Sequence, residues 1–159
     1  MRVNSLSLIC AIGICLMLGA NFLASPASAS KIEANVDLHP DTLNLKAEGK
    51  WVTAYIELPE GYNASDVDIS TILLDNEIPV ETNSKYGFVK NPEIADRDDN
   101  GIPELMVKFP RSAVIDHVLA RWSHVIPFPE RVELTITGVF IDGETTFEGV
   151  DTVRAKHTE

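Results

Sequence analysis

A short acidic loop that runs directly into a strand-like segment is the feature that most constrains how this chain can fold. The segment from Asp96 to Phe109 reads D-R-D-D-N-G-I-P-E-L-M-V-K-F, with Gly101 at the sixth position, where a Ca²⁺-binding loop turns sharply. In such loops the ligands come from positions 1, 3, 5 and 9 and from the backbone carbonyl of position 7. The residues at these positions are Asp96, Asp98, Asn100, Glu104 and, for the carbonyl, Ile102.

This spacing predicts a bound Ca²⁺ ion, because closely packed oxygen ligands repel one another unless a cation neutralises them. The alternative is an acidic turn that binds no metal. The residues after the loop have a period of two, since Leu105 and Phe109 alternate with Met106 and Lys108, so the loop should lead into a β-strand. Position 12 is Val107 rather than the glutamate of an EF-hand, so the last ligand must come from elsewhere. Asp116 is one candidate.

The first 29 residues have the pattern of a signal peptide. Arg2 supplies the positive end, Leu6 to Leu23 are almost continuously apolar, and Ala27-Ser28-Ala29 forms a small-x-small cleavage site. The mature chain should therefore begin near Ser30, as a secreted protein in solution or at the cell surface. A retained membrane anchor is the alternative, although no basic stop-transfer cluster follows the apolar run.

The predicted mature part, residues 30–159, is acidic and without cysteine, because Cys10 and Cys15 both precede it. It contains 12 basic and 24 acidic residues, a formal net charge of −12. Such a charge repels phosphates and anionic membrane surfaces, so neither nucleic acid nor membrane is an expected partner after signal cleavage. It also attracts divalent cations. The length suits a single domain.

Short apolar alternations separated by turn residues predict an all-β fold. In Trp51–Leu58, for example, Val52 and Ala54 face one side while Trp51 and Tyr55 face the other. We expect Trp51 and Tyr55 to pack in the sheet core, and an exposed ligand-binding surface is the alternative. Gly149, within the last strand, suggests a β-bulge. The other predicted strands are Ile32–Leu38, Thr42–Leu45, Val67–Leu74, Ile78–Glu81, Tyr86–Val89 (an edge strand), Arg131–Val139 and Thr145–Ala155.

One segment changes to a helical period. Apolar residues recur at helical spacing after Ser112, a candidate N-cap, so we predict one short helix at about residues 111–122. Pro127 and Pro129 should prevent its continuation. Seven to nine strands with one helix in a connection is typical of an immunoglobulin-like β-sandwich.

Four motifs in order resemble a module of secreted archaeal and bacterial surface proteins. They are the runs Asp41–Tyr62 and Asp68–Leu74, the acidic loop with its strand, and V-E-L-T-I-T-G from Val132. The resemblance implies an immunoglobulin-like β-sandwich without catalytic activity. Together with the predicted Ca²⁺ loop and signal peptide, it leads us to predict a secreted, Ca²⁺-stabilised surface module with a structural or adhesive role. The chain departs from this pattern between Val118 and Pro129, where the connection is longer.

The residues give little indication of catalysis. The mature part has no cysteine nucleophile and no serine in G-x-S-x-G. His117 and His124 are two helical turns apart, roughly 10 Å, which is too far for one metal ion. Pairs of carboxylates are uninformative among 24 acidic residues. We therefore predict a protein that is not an enzyme, and an extracellular hydrolase is only a distant third interpretation.

A carbohydrate- or protein-binding module is the main alternative, with an unidentified extracellular protein or glycan as partner. Trp122 and Phe128 lie in the divergent connection, residues 112–129, and are the predicted recognition residues. Asn63-Ala64-Ser65 is a possible N-glycosylation site.

Overall fold

The computed structural model describes residues 30–156, so the predicted signal peptide and residues 157–159 lie outside the described part of the chain. Ten strands are the main regular structure of that part, as the alternating sequence predicts. They are β1 (Lys31–Glu33), β2 (Asn35–His39), β3 (Thr42–Asn44), β4 (Trp51–Glu57), β5 (Val67–Leu74), β6 (Ile78–Pro79), β7 (Glu93–Ala95), β8 (Glu104–Pro110), β9 (Arg131–Phe140) and β10 (Thr146–Lys156).

The strands form two sheets. Sheet A has the order β1-β10-β9-β5-β6, with β3 also pairing with β10, and sheet B has the order β2-β4-β8-β7. Neighbouring strands are antiparallel except that β1 and β3 run parallel to β10. The predicted first strand is therefore two short strands, β1 and β2, which belong to different sheets.

Alternate residues of both sheets meet in one hydrophobic core. Val52, Ala54 and Ile56 of β4 are buried, and so are Leu134 and Ile136 of β9; all five belong to the same cluster. The two sheets therefore face each other across this core, and the protein is all-β. Within residues 30–156, no helix is both long enough and apolar enough to cross a membrane.

The predicted helix is present as α2 (Arg111–Trp122), which buries Val114 and Val118. The prediction of Ser112 as its cap was wrong. The helix begins at Arg111, so Pro110 is the N-cap residue. The Arg111 backbone N–H donates to the Lys50 carbonyl (3.1 Å). The helix ends at Trp122, before either proline.

The predicted edge strand Tyr86–Val89 was wrong. Residues Gly87–Lys90 form a short helix, α1, closed by a hydrogen bond from the Asn91 N–H to the Gly87 carbonyl (3.0 Å). Tyr86 and Phe88 are two residues apart, as in a strand, but both rings pack on Trp51 instead. The edge of sheet B is formed by β7 instead.

The bulge predicted at Gly149 was also wrong. Strands β9 and β10 pair without interruption, with Gly149 opposite Ile136. Gly149 instead allows a close approach between the sheets, since a Cβ atom there would lie 2.4 Å from Val36 Cγ2 and 2.5 Å from the Ala34 carbonyl oxygen.

Trp51 and Tyr55 do not lie in the sheet core, contrary to the sequence-based expectation. They occupy the face of sheet B that points away from sheet A, and both are half-buried.

Candidate metal centre

Three carboxylates from separate segments converge at one end of sheet B. Glu57 is the last residue of β4, Glu104 is the first residue of β8, and Asp98 lies in the loop between β7 and β8. Each contributes an oxygen atom within 4.8 Å of the other two. The β4–β8 register places Glu57 directly opposite Glu104, and the loop brings Asp98 to the same point.

The loop takes the sharp turn that the sequence predicts. Gly101 has a positive φ of 91°, which glycine adopts without strain, and Asp99 has a φ of 58°. Asp96 holds the turn, because its two carboxylate oxygens accept the backbone N–H groups of Asn100 (3.0 Å) and Gly101 (2.8 Å). Asp96 is outside the group of three converging carboxylates, so its observed contacts shape the loop.

The Asn100 side chain lies against two of the three carboxylates. Its Nδ2 group donates to Glu57 Oε2 (2.6 Å) and to Asp98 Oδ2 (3.1 Å). Its Oδ1 atom accepts the backbone N–H of Ile102 (2.7 Å), which fixes the orientation of the amide. The amide hydrogens thus supply some of the positive charge that a cation would supply in full.

Glu104 is the buried member of the group, with only 6% of its surface exposed. The backbone N–H of Arg97 donates to its Oε2 (2.8 Å), and the Arg97 Nε atom lies 3.8 Å from its Oε1. A buried carboxylate is costly unless it is paired or coordinates a metal. Arg97 offsets one negative charge, whereas the group carries three.

Arg97 also contacts a second cluster, formed by Asp37, His39 and Asp41, whose ligand atoms lie within 4.8 Å of one another. Its guanidinium hydrogen-bonds Asp37, and this bond is the main reason that the pKa of Arg97 is raised. It also lies 3.0 Å from His39 Nε2 and 3.9 Å from the centre of the Tyr55 ring. The Arg97 guanidinium hydrogen-bonds this cluster directly, whereas it comes only within 3.8 Å of Glu104, so this cluster is the weaker metal candidate.

The sequence pattern gives no indication that Glu57 belongs to this group and suggests Asp116 as the last ligand instead. Asp116 lies on α2 beside the 45–50 loop and is not part of the converging group. Glu57 could have been found from its position, since it ends a predicted strand on the face opposite Val52 and Ile56. Its register with Glu104 could not, because strand pairing depends on contacts 47 positions apart, from residue 57 to residue 104.

The other predicted site residues are separate from this centre. The Asn63 Oδ1 accepts the N–H of Ser65 (3.0 Å) and caps a 3₁₀ turn, Ala64–Asp66. Trp122 and Phe128 are partly buried and pack against the core, whereas Ile126 between them is 93% exposed.

His117 is bound rather than free on the surface. Its Nε2 atom lies 2.8 Å from Asp75 Oδ2 and its Nδ1 atom 3.0 Å from Glu77 Oε2. Arg121 joins the same Asp75 oxygen at 2.7 Å. These contacts connect α2 to the turn between β5 and β6, so we assign the cluster a structural role.

Comparisons with protein-family models, with curated proteins and with solved structures give no match to this chain. The candidate metal centre therefore gives the main indication of function. Its donors are all oxygen atoms, which suit a hard divalent cation.

Proposed function

We propose that this protein is a secreted immunoglobulin-like β-sandwich module, stabilised by Ca²⁺, with a structural or adhesive role at the cell surface and no catalytic activity. The observation that carries the proposal is the convergence of Glu57, Asp98 and Glu104. These residues come from two strands and a loop, so a cation between them would join three segments of the fold.

The electrostatics favour a cation. Like charges directly opposite each other on antiparallel strands are destabilising, and Glu57 and Glu104 occupy such a pair. Glu104 is buried, which strengthens the repulsion because water screens it less. Arg97 and the Asn100 amide offset only part of the charge.

Ca²⁺ is the ion that this donor set suits best. It takes 6–8 oxygen ligands in a flexible geometry, whereas Mg²⁺ demands a near-ideal octahedron and loses its water reluctantly. Zn²⁺ in structural sites uses mainly cysteine and histidine. In the proposed complex the three carboxylates bind the ion, the Asn100 side chain turns to present its oxygen, and the Ile102 carbonyl and water complete the shell. Asp96 keeps the loop in shape.

Features of the fold support the immunoglobulin-like assignment. Two mainly antiparallel sheets share one core, and the first segment of the chain is divided between them at Ala34. The Ca²⁺ ion would fasten the loop before β8 to the end of β4. A module held in this way suits a structural or adhesive role outside the cell, where Ca²⁺ is abundant.

Recognition through residues 112–129 has less support. Trp122 and Phe128, which were expected to make the contacts, are partly buried against the core. Only Val125 and Ile126 present large apolar surface in this connection.

Calorimetry of the protein without its first 29 residues tests the proposal. Extracellular Ca²⁺ sites bind at roughly 10⁻⁴–10⁻³ M. At a hundredfold excess over Kd, binding adds about 2.7 kcal/mol to the free energy of unfolding. This predicts a rise in Tm on the order of 5–10 °C in Ca²⁺ relative to chelator, and a smaller rise in Mg²⁺.

Asp98→Ala should remove most of the Ca²⁺-dependent rise in Tm, whereas Asp116→Ala, the matched control, should keep it. The proposal is wrong if the wild type melts identically in Ca²⁺ and in chelator and if titration gives no heat of Ca²⁺ binding.

A further inference from the structure

Three aromatic rings form a cluster on the outer face of sheet B, at the end opposite the acidic loop. Trp51, the first residue of β4, packs edge-on against Tyr86 (ring centroids 5.0 Å apart) and Phe88 (5.4 Å). The Tyr86 and Phe88 planes are 9° from parallel. All three rings are half-buried, so each keeps part of its surface in solvent. We call these residues the aromatic platform.

Lysines surround the aromatic platform. The Lys50 Nζ atom lies 5.0 Å from the centre of the Tyr86 ring, and the Lys85 Nζ atom lies 4.8 Å from the centre of the same ring. The Lys108 Nζ atom lies 5.2 Å from the Phe88 ring centre. Lys90 is the last residue of α1, two positions after Phe88, and its side chain is exposed. Four of the seven lysines in residues 30–159 thus belong to this region of an otherwise acidic chain.

The outer face of sheet B therefore changes in character along β4. Glu57 is six positions after Trp51, which corresponds to roughly 20 Å of extended strand. The aromatic and cationic end is distinct from the acidic end, so a ligand at one end does not need the ion at the other.

We propose that the aromatic platform and its lysines bind an acidic polysaccharide, one whose sugars carry carboxylate groups. The ammonium groups of Lys50, Lys85 and Lys108 lie over ring faces of the platform, and pairing with the sugar carboxylates would draw them aside. The C–H faces of the pyranose rings would then stack on the aromatic faces left free. Lysine suits this task because it carries three donors on a flexible stem. The charge complementarity is local, because the net charge of −12 opposes the binding of any polyanion and the lysines of this region are what attract one.

An acidic peptide would satisfy the lysines but not the rings. It has no flat, rigid apolar surface that repeats along the chain, as a polysaccharide has. The three clustered rings therefore favour a sugar, and a charged peptide becomes a comparison in the test.

The test is calorimetric titration of the protein without its first 29 residues with polygalacturonate, in chelator and at low salt. We expect measurable binding that weakens as salt is added, because screening reduces the lysine contribution. Tyr86→Ala should weaken binding by about tenfold, near the lower end of the loss found when an aromatic side chain that stacks on a nucleic acid base is removed. Binding in chelator separates this proposal from the Ca²⁺ proposal, since either can fail without the other.

Two further variants make the test independent of folding defects. The double variant Lys85→Gln and Lys90→Gln changes only exposed side chains and should also weaken binding. Lys156→Gln, on β10 of the opposite sheet, is the matched control and should bind as the wild type does. Circular dichroism should give the same spectrum for all of them.

The inference is overturned if polygalacturonate does not bind, or if the lysine double variant and Tyr86→Ala both bind as tightly as the wild type. Poly-L-glutamate bound as tightly as polygalacturonate would also overturn it, because charge alone would then account for binding. Dextran, a neutral polysaccharide, should bind much more weakly.

Discussion

Glu57 and Glu104 lie directly opposite each other on β4 and β8, and the carboxylates of both lie within 4.8 Å of Asp98. The three carboxylates therefore repel one another at the point where the β7–β8 loop meets sheet B. This repulsion implies that the same residues should have opposite effects on stability with and without a cation.

Glu57→Gln tests this reversal. In chelator the substitution removes one of two opposed charges, which is worth about 0.2–1 kcal/mol, so Tm should rise by roughly 1–4 °C. In Ca²⁺ the variant should melt below the wild type, because a ligand has been lost. The measurement is differential scanning calorimetry in both buffers.

Glu93→Gln is the matched control for that experiment, since Glu93 is exposed on the adjacent β7. It should change neither melting curve appreciably. A Glu57→Gln variant that is less stable than the wild type in chelator would contradict the repulsion argument.

Asn100→Asp should raise the affinity for Ca²⁺ by roughly tenfold, because affinity in such loops follows the charge of the ligands. Without Ca²⁺ the variant should be less stable, since a fourth carboxylate replaces the amide that donates to Glu57 and Asp98. Titration calorimetry gives the affinity, and melting in chelator gives the stability.

Asn63→Asp makes the same chemical change at the cap of another turn, where Asp is as good as Asn. It should leave Ca²⁺ affinity unchanged. Equal effects of the two substitutions would mean that only net charge is being measured.

The sequence predicts most of the strands because their alternation is local. Val52 and Ile56 are buried, whereas Trp51 and Tyr55 are only half-buried. This period of two is visible in the order of the residues. Helix α2 is predicted for the same reason, since Val114 and Val118 are one turn apart and both are buried. The sharp turn at Gly101 likewise follows from a residue that tolerates positive φ.

What depends on distant partners could not be predicted. Glu57 joins Asp98 only through strand register, and the loop sequence contains no sign of it. The spacing of Tyr86 and Phe88 predicts a strand, because it is the same whether the two rings line a sheet or cover Trp51. The close approach at Gly149 is also a contact between segments more than 100 residues apart.

Asp75→Asn should destabilise the protein by about 1.5–3 kcal/mol, the usual worth of hydrogen bonds to a charged group. The Asp75 side chain is only 4% exposed, and it accepts the Thr135 N–H (2.8 Å) as well as contacts from His117 and Arg121. Urea denaturation measures the change.

Asp68→Asn is the matched control for Asp75, because Asp68 makes exposed hydrogen bonds to Ser70 that asparagine can also accept. Its effect should be within about 0.5 kcal/mol. Equal losses from the two variants would show that the buried cluster contributes little.

Asp142 should titrate below the ordinary range of aspartate. The Thr145 hydroxyl donates to its carboxylate (2.6 Å), and this hydrogen bond is the main reason that its pKa is lowered. A lowered pKa in the folded state means that the stabilisation is present above the pKa of the unfolded chain, about 3.9, and is lost as pH falls through the folded value.

Carboxyl NMR titration measures the Asp142 midpoint directly. Thr145→Val removes the hydroxyl donor with little change of shape, so the midpoint should move up towards that of an ordinary aspartate. Thr152→Val, within β10 and away from Asp142, should leave the midpoint in place. An unchanged midpoint in Thr145→Val would assign the low pKa to the backbone N–H groups of Glu144 and Thr145 instead.

Gly149→Ala should cost at least about 1–3 kcal/mol, the usual penalty for overpacking. The new Cβ would lie 2.4 Å from Val36 Cγ2, which can rotate, and 2.5 Å from the Ala34 carbonyl oxygen, which is backbone. Ala34 is where the chain passes from sheet A to sheet B, and its N–H donates to the Glu148 carbonyl (2.8 Å). Relieving the contact therefore requires the strand to move and that bond to lengthen.

Gly87→Ala is the control for Gly149→Ala, since nothing lies within 4 Å of the added atom and α1 begins there. It should be neutral or stabilise the protein by up to about 1 kcal/mol. Urea denaturation compares the two, and equal stabilities would mean that the sheets are not held as close at Gly149 as these distances indicate.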